Sequence, residues 1–253
     1  MSKKYLVIPD GHAHPDYDNR RFDYLGDLII DEKPDVVVNI ADGADMASLA
    51  SYDKGKRSFT GKSYRKDVDA YLDSQSRTWD KVKARKKKMP DRYYMLGNHE
   101  QRIDRALDLS PELVGTIGYK DLMLDDYYDE VVYYNGGTPG IKVLDGIAFA
   151  HYFITGVSGR GISGEHPAYT MLTKKFKSCV QGHTHVLDYC VRTNGDGDKL
   201  HALVCGVYQD YDSDWAGDVN SLWWRGCVIL DNVEDGQFDL RCISLKSLEQ
   251  TYG

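Results

Sequence analysis

Short runs of apolar, β-branched residues alternate with longer stretches in which apolar side chains return every three or four positions. Tyr5 to Pro9 and Val36 to Ile40 read as strands, whereas Arg20 to Ile30 carries Phe22, Leu25, Leu28 and Ile29 at helical spacing. Together they predict a β-α-β unit. A second long helix is predicted from about Ser63 to Lys88, and Pro90 ends the pattern before the strand-like run Arg92 to Leu96. The first half is therefore expected to supply parallel strands with helical crossovers. Gln101 to Leu109 reads as a short helix, and the segment on to about Tyr134 mixes both periodicities without resolving.

The second half is richer in strands. Ile141 to Leu144 and Ile147 to His151 flank Asp145-Gly146, a two-residue turn signal for a hairpin. Further strand-like runs, Ser178 to Gln181, Val186 to Val191, Leu200 to Cys205, Leu222 to Leu230 and Phe238 to Ile243, are separated by turns such as Asn194-Gly195-Asp196-Gly197 and Asp235-Gly236. An α/β first half and a strand-rich second half predict two mixed sheets stacked face to face with helices outside. The length is compatible with one domain spanning residues 1–253.

Composition narrows the class of protein more than the activity. Hydrophobic residues make up 42% and charged residues 28%, which suits an ordinary globular chain with a sizeable core and excludes a disordered one. A net charge of -7 argues against coating nucleic acid by charge alone, yet bound divalent ions would reverse the sign at an acidic site. The apolar run after Met1-Ser2-Lys3-Lys4 stops at Asp10, too short for the core of a signal peptide, and no run reaches the length of a membrane span. The five cysteines are odd in number, lack a C-x-x-C pair and mostly fall in apolar runs. They are expected to be reduced core residues of a cytoplasmic protein with no membrane contact.

The candidate chemistry lies where strand-like runs end. Asp10 and His12, Asp42, Asn98 and His99, His151, and His183 with His185 each sit at or just past such an end. Carboxyl ends of strands in stacked α/β sheets share one rim, so residues a hundred positions apart can converge there. Asp10-Gly11-His12 and His183-Thr184-His185 each place two ligating side chains at i and i+2, where one turn can aim both. Imidazole with carboxylate suits borderline divalent ions such as Mn, Fe, Ni or Zn, whereas an all-oxygen set would suit Mg or Ca. Asp42 has lone pairs enough to bridge two ions.

In order, the motifs are Asp10-x-His12, Ala41-Asp42, Gly97-Asn98-His99-Glu100, a lone His151 after a strand, and Gly182-His183-Thr184-His185. This series resembles the calcineurin-like metallophosphoesterase superfamily over roughly residues 5 to 190. The resemblance implies a four-layer α-β-β-α sandwich and two divalent metal ions, Mn first among Fe, Ni, Zn and Mg. By position it implies Asp10, His12, Asp42 and His185 on one ion, and Asp42, Asn98, His151 and His183 on the other. His99 would stand outside the metals as a substrate-facing acid or phosphate-stabilising group. Asp45 and Glu100 are candidates to orient such histidines, and Gly97 to let its turn approach the ions. Two departures stand out. Ala41 replaces a glycine that many members carry, at an expected small cost. The segment Asp42-Gly43-Ala44-Asp45-Met46 lacks the Asp-Arg-Gly of the protein-phosphatase branch, which weakens a protein Ser/Thr phosphatase reading.

The expected activity is hydrolysis of a phosphoester by a metal-bridging hydroxide, on a phosphodiester in nucleic acid or a nucleotide. A phosphomonoesterase acting on a phosphoprotein, nucleotide or small metabolite, or a metal-stabilised binding protein without turnover, are the alternatives. Candidate substrate contacts are Arg102 with Arg105, Arg57 in the basic and aromatic stretch Lys54 to Lys66, and Arg160 in the glycine-rich segment Gly156 to Gly164. Each also has a plainer reading, as a local salt bridge, a polar loop or a rim loop. The run Lys81 to Lys88 reads as a solvated helix end, and His14, His166 and His201 as structural or surface residues. Tyr208, Tyr211, Trp215, Trp223 and Trp224 form either a recognition surface or packing. No Gly-Lys-Ser/Thr ending marks a nucleotide P-loop.

Overall fold

The computed structural model describes residues 2–253 and builds them into two mixed sheets packed face to face. The six-stranded sheet runs in the order β11 (Gln237–Ser244), β10 (Gly226–Glu234), β1 (Lys3–Ile8), β2 (Val36–Asn39), β3 (Asp91–Met95), β4 (Glu130–Val132). Its β1 to β4 are mutually parallel, and β10 and β11 add antiparallel on the far side. The five-stranded sheet runs β5 (Lys142–Leu144), β6 (Ile147–Phe149), β7 (Cys179–Gln181), β9 (Lys199–Cys205), β8 (Leu187–Thr193), with β6, β7 and β9 parallel.

Side chains on a strand alternate between faces, and both faces of these strands are covered, so the runs read as continuous apolar stretches. Tyr5, Val7, Val36 and Val38 face the second sheet, where they meet Ile147, Phe149, Val180 and Leu203. Tyr5 stacks on Phe149 across that interface with ring centroids 6.0 Å apart. Leu6, Ile8 and Val37 point the other way, onto α1 (Arg21–Glu32), α2 (Tyr64–Ala84) and α6 (Leu245–Tyr252). The outer face of the second sheet, Ala148, Cys179, Ala202 and Val204, is covered by Ala168, Met171 and Leu172 of α5 (Pro167–Lys175). The layers are thus α-β-β-α, as the resemblance implied.

Local departures from the expected elements have local causes. Helix α2 stops at Ala84 because Lys86 takes a left-handed backbone (φ 50), leaving Lys86 to Lys88 outside it. Strand β10 begins at Gly226 rather than Leu222, since Gly217–Leu222 winds into a 3-10 turn. The short helix expected over Gln101 to Leu109 is α3 (Arg102–Leu109), and the stretch of mixed periodicity after it holds 3-10 turns, the single turn α4 (Leu124–Tyr127) and β4. Asp145 and Gly146 both take positive φ, 42 and 87, matching the twist of the β5–β6 hairpin. All five cysteines are free, but Cys242 is exposed on the edge strand β11, contrary to the expectation of core positions. No helix among the described residues is long and apolar enough to cross a membrane.

Candidate metal centre

The carboxyl ends of β1, β2 and β3 from one sheet and of β6 and β7 from the other meet at one rim. Asp10 and His12 follow β1, Asp42 follows β2, Asn98 follows β3, His151 follows β6, and His183 and His185 follow β7. All seven expected side chains converge there. Potential ligand atoms of Asp10, His12 and His185 lie within 4.8 Å of one another, as do those of Asp42, His151 and His183, and those of His12, Asp42 and His99. Asn98 joins the second set, its Oδ1 lying 3.0 Å from His151 Nε2.

Cross-strand hydrogen bonds aim the two carboxylates. The backbone N–H of His183 donates to Asp10 Oδ2 at 2.8 Å, and that of His99 donates to Asp42 Oδ1 at 2.8 Å. Each β-strand carboxylate is therefore held by the loop of another strand. Gly97 and Gly182 make this possible: a Cβ on Gly97 would strike the Asp42 side chain, and one on Gly182 would strike the Asp10 side chain. Glu100 was expected to orient a histidine and does not. Fully buried, it accepts from Gly97 N (3.0 Å), Ala44 N (3.1 Å) and the Tyr94 hydroxyl (2.8 Å), fastening the Asp42 loop to the Asn98 turn.

The backbone is strained where the side chains converge. His12 (φ 42), Asp42 (φ 41), His183 (φ 68) and His185 (φ 62) all occupy the left-handed region, uncommon for residues with a Cβ. Ala41 shares it at φ 75, where Asn39 Oδ1 accepts its N–H at 2.8 Å. The alanine therefore carries a conformational cost of about 1 kcal/mol relative to glycine, more than the small cost expected from the sequence.

Two of the imidazoles, His151 and His12, are anchored through one nitrogen and turned inward through the other. His151 Nδ1 lies 2.9 Å from the Ile40 carbonyl, to which it donates, and this turns Nε2 toward Asp42 Oδ2 at 3.3 Å. Asp45 Oδ1 accepts from His12 Nδ1 at 3.1 Å, directing His12 Nε2 to within 3.2 Å of His185 Nε2. Two imidazole lone pairs this close repel unless a proton or cation lies between them. His185 Nε2 is also 3.1 Å from Asp10 Oδ2. The other oxygen, Asp10 Oδ1, is buried without a hydrogen-bond partner, an unsatisfied negative atom whose cost a cation would remove. These donors fit a pair of borderline divalent ions.

Electrostatics point the same way. Burial alone would raise the Asp42 and Asp45 carboxyls, but neighbouring histidines hold both well below the usual carboxylate range, His151 and His99 at Asp42 and His12 and His99 at Asp45. Burial would lower His151, yet Asp42 and Asp10 push it up to about 9. The field that favours a proton on His151 favours a metal cation there equally, and binding one must expel that proton. His183 goes the other way, to about 4, because burial and the neighbouring His151 oppose its charge.

His99 lies at the edge of the cluster, 3.8 Å from Asp42 Oδ2. Its Nδ1 lies 2.7 Å from the Asp45 carbonyl and its Nε2 lies 2.9 Å from Arg102 Nη2, so the imidazole donates through the first and accepts through the second. Arg102 also donates to the carbonyls of Asp45 and Met46. The other proposed contacts are elsewhere. Arg57 lies exposed in the segment between Ser51 and Lys62, and Arg160 lies in the exposed glycine-rich loop, where its backbone pairs with Thr155; neither bonds to the cluster among the described residues. His14, His166 and His201 also stand apart, and His201 Nδ1 pairs with the Tyr189 hydroxyl at 2.6 Å.

Three contributors were not foreseen. Arg21, buried in α1, donates to the carbonyls of Gly11 (3.0 Å) and His12 (3.2 Å) and fixes the first motif loop. The Tyr211 hydroxyl donates to the His12 carbonyl at 2.8 Å, and Trp223 packs edge-on against His185 with centroids 4.5 Å apart. The late aromatic cluster is therefore divided: Tyr208 is core, Tyr211 and Trp223 support the histidines, and Trp215 is 77% exposed.

No protein-family model and no curated protein matches this chain. Among solved structures it is similar to a novel archaeal phosphodiesterase, at 11% identity and a TM-score of 0.41, covering 95% of this chain and 99% of that one. It is similar to a dimetal phosphatase from Danio rerio at 12% identity and a TM-score of 0.44, covering 96% of both chains. A protein from Thermus thermophilus gives 10% identity and a TM-score of 0.40 over 96% of this chain and 99% of that one.

Proposed function

We propose that the chain, as one domain over residues 1–253, is a calcineurin-like metallophosphoesterase that hydrolyses phosphodiesters in nucleic acid or a nucleotide. The observation that carries this reading is Asp42, reached from both sides: His12 and His99 share one set of potential ligands with it, and His151 and His183 another. One divalent ion is assigned to Asp10, His12, Asp42 and His185, and a second to Asp42, Asn98, His151 and His183. Mn leads the candidates on the mixed imidazole and carboxylate set. When bound, such a pair supplies Lewis acidity and an activated water for in-line attack on phosphorus.

The protein's own part is positioning and proton handling. Asp45 keeps His12 turned inward and holds His99, and the buried Glu100 keeps the two loops in register. His99 Nε2 accepts from Arg102, so it becomes a proton donor only after the guanidinium turns away. A phosphoryl oxygen is the stronger partner for a guanidinium and provides the reason to turn. Asp42 and Asp45 outweigh burial and the Arg102 charge to raise the proton affinity of His99. Once released from Arg102, it is suited to protonate a leaving oxygen, a contribution of about 10²–10⁴-fold. The five free thiols support a reducing, cytoplasmic setting. Arg57 and Arg160 are retained as outlying substrate contacts.

Turnover of bis-p-nitrophenyl phosphate and p-nitrophenyl phosphate with Mn tests the reading. Faster diester turnover is expected; much faster monoester turnover would assign a phosphomonoesterase instead.

A further inference from the structure

A groove of about 310 Å³ opens next to His99, lined by Leu49, Tyr52, Lys54, Arg102, Arg105 and Leu109 among others. Arg102 belongs both to this groove and to the cluster, since its guanidinium bonds His99. Arg105 follows it by three residues on α3 and so lies on the same helix face. Neither Lys54 nor Arg105 has an ion-pair partner among the described residues. Their charges, with that of Arg102, face a single lining carboxylate, Asp108. Tyr52 is 72% exposed and Leu109 67%, an aromatic face and an apolar floor that the protein leaves open to solvent.

The flank beyond His12 has the opposite charge. Tyr17 and Tyr211 stack there at 3.7 Å, in the field of Asp16 and Asp214, while Asp212 is paired with Arg225. An additional phosphate is repelled on that side and attracted on the other. A lone phosphoester would need the metals and Arg102; two further unpaired cations, Arg105 on α3 and Lys54 in the facing loop, beside an open aromatic, have no use for it.

We propose that this groove is the subsite for the next nucleotide of a single-stranded nucleic acid, with Lys54 and Arg105 on its phosphate and Tyr52 stacked on its base. The inference rests on the phosphodiesterase reading and gives it a substrate class. Every base offers a π-face, so one tyrosine gives affinity without sequence preference, and a duplex, whose bases are already stacked, gains nothing from it.

The test uses Lys54→Glu, and separately Tyr52→Ala, both exposed positions outside the catalytic cluster. Turnover of bis-p-nitrophenyl phosphate with Mn should match the unsubstituted protein in each variant. On a single-stranded oligonucleotide the charge-reversed variant should lose at least about tenfold in kcat/KM, with a salt slope shallower by about one for each lost phosphate contact. Tyr52→Ala should lose roughly tenfold on the single strand and little on the duplex of the same sequence. If all variants cleave the oligonucleotide normally, the subsite is wrong and the hydrolase reading survives. If the unsubstituted protein turns over neither substrate, that reading fails, and anisotropy with a fluorescein-labelled oligonucleotide then decides the groove alone. Equal affinity of all variants, or tighter binding of an acidic peptide than of the oligonucleotide, overturns it.

Discussion

Replacing Gly97 by alanine adds one methyl group where the turn after β3 presses against Asp42. The new Cβ would sit 2.6 Å from Asp42 N and 2.9 Å from Glu100 Oε2, and closer still to the Asp42 carboxylate. Restoring an ordinary contact of about 3.5 Å requires Asp42 N to move by about 0.9 Å. Neither neighbour yields easily: the Asp42 loop is buried, and Glu100 is fixed by three hydrogen bonds. Overpacking of this kind costs about 1–3 kcal/mol, equivalent to a fall in Tm of roughly 2–12 °C for a chain of this size. The functional loss should be larger in proportion, because a ligand displaced by about 1 Å costs on the order of 10²-fold in turnover. Calorimetric titration with Mn and bis-p-nitrophenyl phosphate kinetics read the two effects separately. Gly137→Ala, where an added Cβ meets nothing within 4 Å, is the control. A Gly97→Ala protein with metal affinity and turnover within about twofold of the unsubstituted one would refute this steric reasoning.

Three other predictions follow from the same contacts. His99→Ala should keep its bound metal, measured by elemental analysis, while losing about 10²–10⁴-fold in turnover; full activity would remove His99 from the reaction. Mn at a hundred times its dissociation constant should stabilise the fold by about 2.7 kcal/mol, raising Tm by roughly 5–11 °C over the chelator-treated protein, and an unchanged Tm would deny the site. Glu32 is held at about 2 by hydrogen bonds from Arg241 and Lys4 that outweigh burial. A depressed carboxyl stabilises the fold above its ordinary value of 4.5, and that contribution fades as pH falls toward about 2. The Arg241 side chain is 43% exposed, so solvent screening holds the contribution to at most about 1 kcal/mol; Glu32→Gln should lower Tm at pH 7 and leave it unchanged near pH 2, and equal losses at both would contradict the assignment.

Long, strongly periodic elements were legible in the sequence. Helices α1 and α2, strands β1 to β3 and the Asp145-Gly146 hairpin announce themselves within a few residues of their final bounds. Strand β4 has three residues, too few to establish an alternation, and its place comes from pairing with β3. Helix α5 does show apolar spacing at Ala168, Met171 and Leu172, but its first N–H groups include that of Ala168, satisfied by Asp188 on β8. That partner lies 20 residues away and leaves no local capping signal.

The same division holds at the candidate site. Ligand-competent side chains could be identified because their types and strand-end positions are local properties. What orients them could not: Arg21 reaches Gly11 and His12 through its guanidinium, Tyr211 reaches His12 across 199 positions, and the Ile40 carbonyl accepts a hydrogen bond from His151 Nδ1 across 111. The left-handed backbone at His12, Asp42, His183 and His185 is likewise invisible in residue type, since histidine and aspartate give no warning comparable to glycine. Glycine did give one. Gly97 was read as a point of close approach, and the neighbour proved to be Asp42 itself.

Anomalous diffraction from Mn-loaded crystals, with metal content measured on the same preparation, examines the shared-carboxylate arrangement most directly. Two peaks per chain are predicted, one among Asp10, His12 and His185, one among Asn98, His151 and His183, with Asp42 touching both; Asp42→Asn should leave one ion or none. Peaks absent from this rim, or two ions retained at full occupancy without the Asp42 carboxylate, would contradict it.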